Sequence, residues 1–125
     1  MKLLLRRDQK SGLLGRNVTF MLEVRADLTP EERDNIKKYK LGDTMLYQKY
    51  EVDPGKGLLG FASRLYLNAL NLTIKVDDLV EGKRVECKSI MEMLAAQAQI
   101  KEAAEAFKQV LDAASHFGGE EVLAF

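Results

Sequence analysis

The sequence predicts an α+β fold, in which an antiparallel or mixed β-sheet carries a short surface helix over about residues 30–41 and a long C-terminal amphipathic helix over about residues 90–116. Three observations predict it. Apolar and polar residues alternate through residues 17–27 and again through 70–76, the period of a strand with one face buried. From Ile90 to Ala114 the apolar residues recur instead at every third or fourth position, the period of a helix with one apolar face. The strands also come in adjacent runs, and none is the uniformly apolar stretch of a sheet covered on both faces, so one sheet face is expected to be partly wet.

Taken in order, residues 17–27 set Val18, Phe20, Leu22, Val24 and Ala26 against Asn17, Thr19, Met21, Glu23 and Arg25. Residues 2–7 supply a partner strand, and Gly12 and Gly15 supply the connection, giving a β-hairpin over residues 2–27. Thr29-Pro30-Glu31-Glu32 then combines a capping hydroxyl, a proline suited to the first helical position and the glutamate of a capping box. The helix it opens is expected to stop near Leu41, with Gly42 in the left-handed conformation and Lys37, Lys38 and Lys40 at the negative end of the dipole. Only Ile36, Tyr39 and Leu41 are strongly apolar there, which places the helix on the surface.

Residues 44–52 predict a third strand, with Leu46, Tyr50 and Val52 on one face and Met45 and Tyr47 on the other, broken by Asp53-Pro54-Gly55. Residues 61–69 fit both periods: Phe61, Leu65 and Ala69 suit a helix, while Phe61, Leu65 and Leu67 suit a strand. Residues 70–76 predict a strand, Asp77-Asp78 and Glu81-Gly82 a turn, and residues 84–88 a short strand with Val85 and Cys87 inward, so that 70–88 forms a second hairpin. Ser89 and Glu92 cap the long helix, which Gly118-Gly119 ends. Residues 121–125 are expected to add a last strand, because Val122, Leu123 and Phe125 need cover.

A chain of 125 residues is the size of one domain, taken here as residues 1–125, and 46% apolar with 30% charged residues is a globular balance. Nineteen basic and nineteen acidic residues cancel, so no global field recruits nucleic acid or an anionic membrane. The charge is uneven, however. Lys2, Arg6, Arg7, Lys10 and Arg16 face only Asp8 in residues 1–16, whereas Lys101 and Lys108 are outnumbered by six acids in residues 89–125. A single cysteine, Cys87, forms no internal disulfide and has no second Cys or His spaced to share a metal, which suits the reducing cytosol. Leu3-Leu4-Leu5 is cut short by Arg6-Arg7-Asp8, too soon for a signal peptide or a membrane span. A cytoplasmic location without membrane contact is the expectation.

The sharpest enzyme-like motif is Gly55-Lys56-Gly57-Leu58-Leu59-Gly60, a literal G-x-G-x-x-G with Asp77 and Asp78 downstream. Against it, the preceding segment holds Gln48, Lys49 and Glu51 where a dinucleotide fold needs a buried apolar strand, and a crossover helix has about ten residues at most. The expected role of residues 55–60 is a surface loop. The same Gly-Leu-Leu-Gly occurs at Gly12 to Gly15, but the flanks differ and imply no duplication. His116, the only histidine, is expected to cap the long helix, and Cys87 to behave as a small apolar side chain. The pairs Glu31-Glu32, Asp77-Asp78 and Glu120-Glu121 sit where helix starts and turns call for carboxylates. No catalytic, cofactor-binding or metal-binding residue is selected.

What stands out is the long helix itself. Ile90, Met93, Gln97, Ile100, Ala104, Phe107, Leu111 and Ala114 form a broad stripe, most of it expected to pack on the sheet. A helix longer than its own sheet leaves part of that stripe for a second copy, with Gln97 as a polar register point. The function expected is therefore a non-catalytic adaptor or accessory domain, a homodimer with a protein partner. Nucleic-acid binding through the basic hairpin of Arg6, Arg7, Lys10 and Arg16 is the alternative, disfavoured because no stacking aromatics or reading helix accompany it. A small nucleotide binder or enzyme using residues 55–60 is the further alternative.

Overall fold

The computed structural model describes residues 1–12, 18–48, 72–117, 120 and 122–125. Its elements are β1 (Lys2–Ser11), β2 (Val18–Asp27), α1 (Pro30–Lys38), β3 (Met45–Gln48), β4 (Thr73–Lys75), α2 (Val76–Glu81), β5 (Lys83–Cys87) and α3 (Ile90–Ser115). Antiparallel sheets, short helices and a long C-terminal helix make this an α+β fold. The glycine loop 55–60, the ambiguous segment 61–69, the end of the third predicted strand at 49–52 and Arg16 lie outside the described residues.

Alternation dictates the first hairpin. β1 and β2 pair antiparallel from Lys2↔Asp27 to Ser11↔Val18, four residues further along β1 than its sequence pattern indicates. Leu22, Val24 and Ala26 are buried on one face, while Glu23 and Arg25 point the other way. Thr29 forms the expected capping box, accepting from the Glu32 amide at 3.2 Å while Glu32 accepts from the Thr29 amide at 2.9 Å. Burial pushes the Glu32 carboxyl up, but the Thr29 bonds and the Met1 ammonium 3.3 Å away outweigh it and hold the group below its ordinary range.

The end of α1 differs from expectation. The left-handed residue is Lys40, with φ 53°, and not Gly42. The Leu41 amide reaches Ile36 O at 2.9 Å and the Lys40 amide reaches Lys37 O at 3.3 Å, the paired bonds of a Schellman motif. Gly42 is needed for close approach instead, since a Cβ there would sit 2.5 Å from the Asp77 carboxylate and the Asp77 amide donates to Gly42 O at 2.9 Å.

Two further expectations are corrected. Residues 70–88 do not form a hairpin: β4 pairs with β3, β5 pairs with β2, and the strands divide into a three-stranded sheet β1-β2-β5 and a two-stranded sheet β3-β4. The cause is α2, which occupies the predicted turn. Val76 and Leu79, three apart, are both buried, and the Asp78 carboxylate accepts from the Lys75 amide at 2.8 Å to satisfy the helix start. Gly82, at φ 107°, then turns the chain into β5. Nor is there a strand over the described part of 121–125. Helix α3 delivers the chain beside α1, where Phe117 meets Tyr39 edge-on at 5.2 Å, and a helix offers no strand edge to pair with.

Ser89 caps α3 by accepting from the Glu92 amide at 3.1 Å, and the helix runs 26 residues, about 39 Å. It packs against β2, β3, β5 and α1. Its buried stripe is Ala96, Ile100, Ala103, Phe107 and Leu111, continuous with Leu22, Val24, Ile74 and Leu79 in one core.

Candidate functional site

The residues singled out for chemistry do not meet. Cys87 precedes the start of α3 and His116 caps its far end, so about 39 Å of helix separates a thiol from the only imidazole. Burial, with the nearby Glu92 carboxylate, pushes the Cys87 thiol up, so it stays protonated near neutral pH, as a core side chain and not a nucleophile. His116 Nδ1 lies 2.8 Å from Asp112 O and 3.1 Å from Ser115 Oγ, the capping role read from the sequence. Glu32 and Asp78 serve the starts of α1 and α2. Among the described residues no three His, Cys, Asp or Glu side chains gather as a metal site.

The basic hairpin is partly spent within the chain. Arg6 Nε pairs with Asp8 at 3.0 Å, and Arg7 donates twice to Gln97 Oε1, at 2.8 and 3.1 Å. That pair ties the inward face of β1 to α3. It also commits the carboxamide oxygen expected to set the register with a second copy.

What the fold does bring together is a groove of about 600 Å³ across the outer face and rim of the three-stranded sheet. Strand pairing builds it. Leu4 lies opposite Arg25, and Arg6, Glu23 and Arg84 form one row across β1, β2 and β5. Arg84 holds Glu23 with two contacts, at 2.7 and 2.9 Å. Arg25 and Lys83 also line the groove, and neither has a carboxylate partner among the described residues. Leu4 is 47% exposed in the midst of these charges. Sequence reasoning missed the cluster because it paired β5 with the wrong strand; the available signal was the outward alternation of Glu23 and Arg25 in β2.

A second surface lies at the start of α3. Ile90, Met91 and Leu94 are 55, 65 and 51% exposed. Positions 90, 91 and 94 are neighbours at helical spacing, so they form one apolar patch and not three scattered residues. Among the described residues no helix is long and apolar enough to cross a membrane.

Compared with protein-family models, with curated proteins and with solved structures, the chain matches none of them.

Proposed function

We propose that this chain is a non-catalytic interaction module of the cytoplasm that associates with itself, serving as an adaptor or accessory to another protein. One observation carries the reading: the apolar patch of Ile90, Met91 and Leu94 exposed together at the start of α3. These three lie off the buried stripe of Ala96, Ile100, Ala103, Phe107 and Leu111, which Met93 continues toward the helix start, and no described residue covers the face they occupy. A second copy is the partner a single protein always has at hand.

Magnitudes limit what the patch does alone. Covering three half-exposed apolar side chains is worth on the order of 3 kcal/mol. Association costs at least about 4 kcal/mol in lost freedom. The patch therefore acts as one part of an interface, with a second surface contributing. The burial of Cys87 and its distance from His116 support the non-catalytic reading against a thiol enzyme.

Light scattering over a range of concentrations tests the reading. A dimer is expected, and Met91→Asp with Leu94→Asp is expected to yield a folded monomer. Carboxylates in the first turns of a helix suit its dipole, so the variant keeps α3. A wild-type chain that stays monomeric at high concentration overturns the proposal.

A further inference from the structure

The outer edge of β1 is the longest open strand edge among the described residues. β1 spans ten residues and pairs only with β2, in an unbroken register without a bulge. Such an edge presents a row of free backbone donors and acceptors to another strand. Leu4 stands 47% exposed on its outer face, and Leu3 and Leu5 are only partly buried.

A second copy of β1 is the candidate strand, and the charges decide whether it fits. Two copies related by a two-fold axis pair antiparallel, with their sheet faces aligned and the axis through the same residue of each strand. Axes through Leu4, Arg6, Arg7, Asp8 or Lys10 set like charges directly opposite: Lys2 against Arg6, Lys2 against Lys10, Arg7 against Arg7, Asp8 against Asp8 and Lys10 against Lys10, respectively. The axis through Leu5 sets none. It places Lys2 of each copy opposite Asp8 of the other, Leu3 opposite Arg7, Leu4 opposite Arg6, and Leu5 opposite Leu5. Residues 2–8 all pair in that register, whereas axes through Leu3 or Gln9 pair only residues 2–4 or 7–11. The basic side chains are also partly answered within each copy: Asp27 lies opposite Lys2, Glu23 lies opposite Arg6, and Arg7 is held by Gln97.

Helix α3 presents its patch on the matching side. Ile90, Leu94 and Gln97 follow at spacings of four and three and so share one side of the helix, and Gln97 accepts from Arg7 of β1 at 2.8 Å. In the joined sheet both copies of α3 lie on one face with these sides turned toward each other.

We propose that β1 of one copy pairs antiparallel with β1 of a second copy about Leu5, joining the two three-stranded sheets into one continuous sheet. The inference rests on the self-association reading and supplies the second surface that the α3 patch requires.

The test uses two differently tagged full chains, one with Lys2→Cys and one with Asp8→Cys, mixed and exposed to a mild oxidant. The buried Cys87 does not compete. A disulfide joining the two tags is expected. Chains carrying Lys2→Cys alone are expected to stay unlinked, since the two copies of residue 2 lie about 20 Å apart in this register. In parallel, Asp8→Lys, which makes both Lys2 contacts repulsive, is expected to weaken the dimer about tenfold, and Lys2→Glu added to the same chain to restore it. Both sites are on the surface, and circular dichroism checks that each variant is folded. A dimer that forms no disulfide between the tags and ignores both charge changes overturns the edge pairing while leaving self-association standing. Chains with Lys2→Cys that link to each other as readily as to Asp8→Cys also overturn it, because they report collision without register. A wild-type chain that is monomeric throughout overturns both.

Discussion

Two stretches of α3 carry apolar residues with opposite fates, because they lie on different faces of the helix. From Ala96 to Leu111 the stripe is buried, with Ala96, Ala103 and Phe107 at zero exposure, whereas Ile90, Met91 and Leu94 stand in solvent. The difference lies in what each stretch meets. The buried residues belong to one core with β2 and with the second sheet, and at the far end Phe117 packs on Tyr39 of α1. Met93 packs against the same core, whereas Ile90, Met91 and Leu94 on the other face have no such cover among the described residues. Periodicity specifies which apolar residues share the covered face; Ile90, Met91 and Leu94 fall on another face, which the described residues leave uncovered.

Substitutions along α3 break or sharpen this contrast. The largest effect is expected at Phe107, which is fully enclosed. Phe107→Ala removes a large side chain and leaves a cavity, and is expected to cost about 3–5 kcal/mol of stability. Denaturant unfolding measures it; a loss under about 1 kcal/mol would mean that the centre of α3 is not core. A smaller loss is expected at the helix start. Ser89→Ala removes the acceptor for the Glu92 amide and is expected to cost about 1 kcal/mol. If the loss is nil in the same unfolding assay, the first turn is held by something other than its cap.

The same contrast explains what was legible in the sequence. The first hairpin, both capping hydroxyls, the inward Cys87 and the long helix follow from local rules of alternation, capping and helical spacing, and each is in place. The errors arose where two local rules competed or where a partner had to be chosen. Val76 continues the alternation of Leu72 and Ile74, but with Leu79 it also begins a helical pair, and the helix prevails because Asp78 satisfies its free amide at Lys75. Once α2 stands between β4 and β5, those strands cannot form a tight hairpin, and β5 completes the sheet beside β2. The groove around Leu4 and Arg25 depends on that long-range choice and was therefore invisible in the sequence. Gln97 was recognised as a polar break in the stripe, but its partner Arg7, ninety residues away, was not.

The smallest expected change in stability is at the exposed end of α3, and it separates the two stretches most sharply. Ile90→Ser and Leu94→Ser replace side chains that are already more than half in water, so little apolar area is lost on the solvent side of the monomer. Serine forms helix somewhat less readily than either residue, a difference of a few tenths of a kcal/mol, so each variant at concentrations where the chain is monomeric is expected to unfold within about 0.5 kcal/mol of wild type. If the proposed dimer forms, the wild type is expected to gain stability by mass action and the variants not, so that their unfolding curves separate as the protein is concentrated. A loss above about 1 kcal/mol in the dilute monomer would show that the chain itself covers this end of the helix. That face of α3 would then be core surface, and the proposed interface would lose its apolar patch.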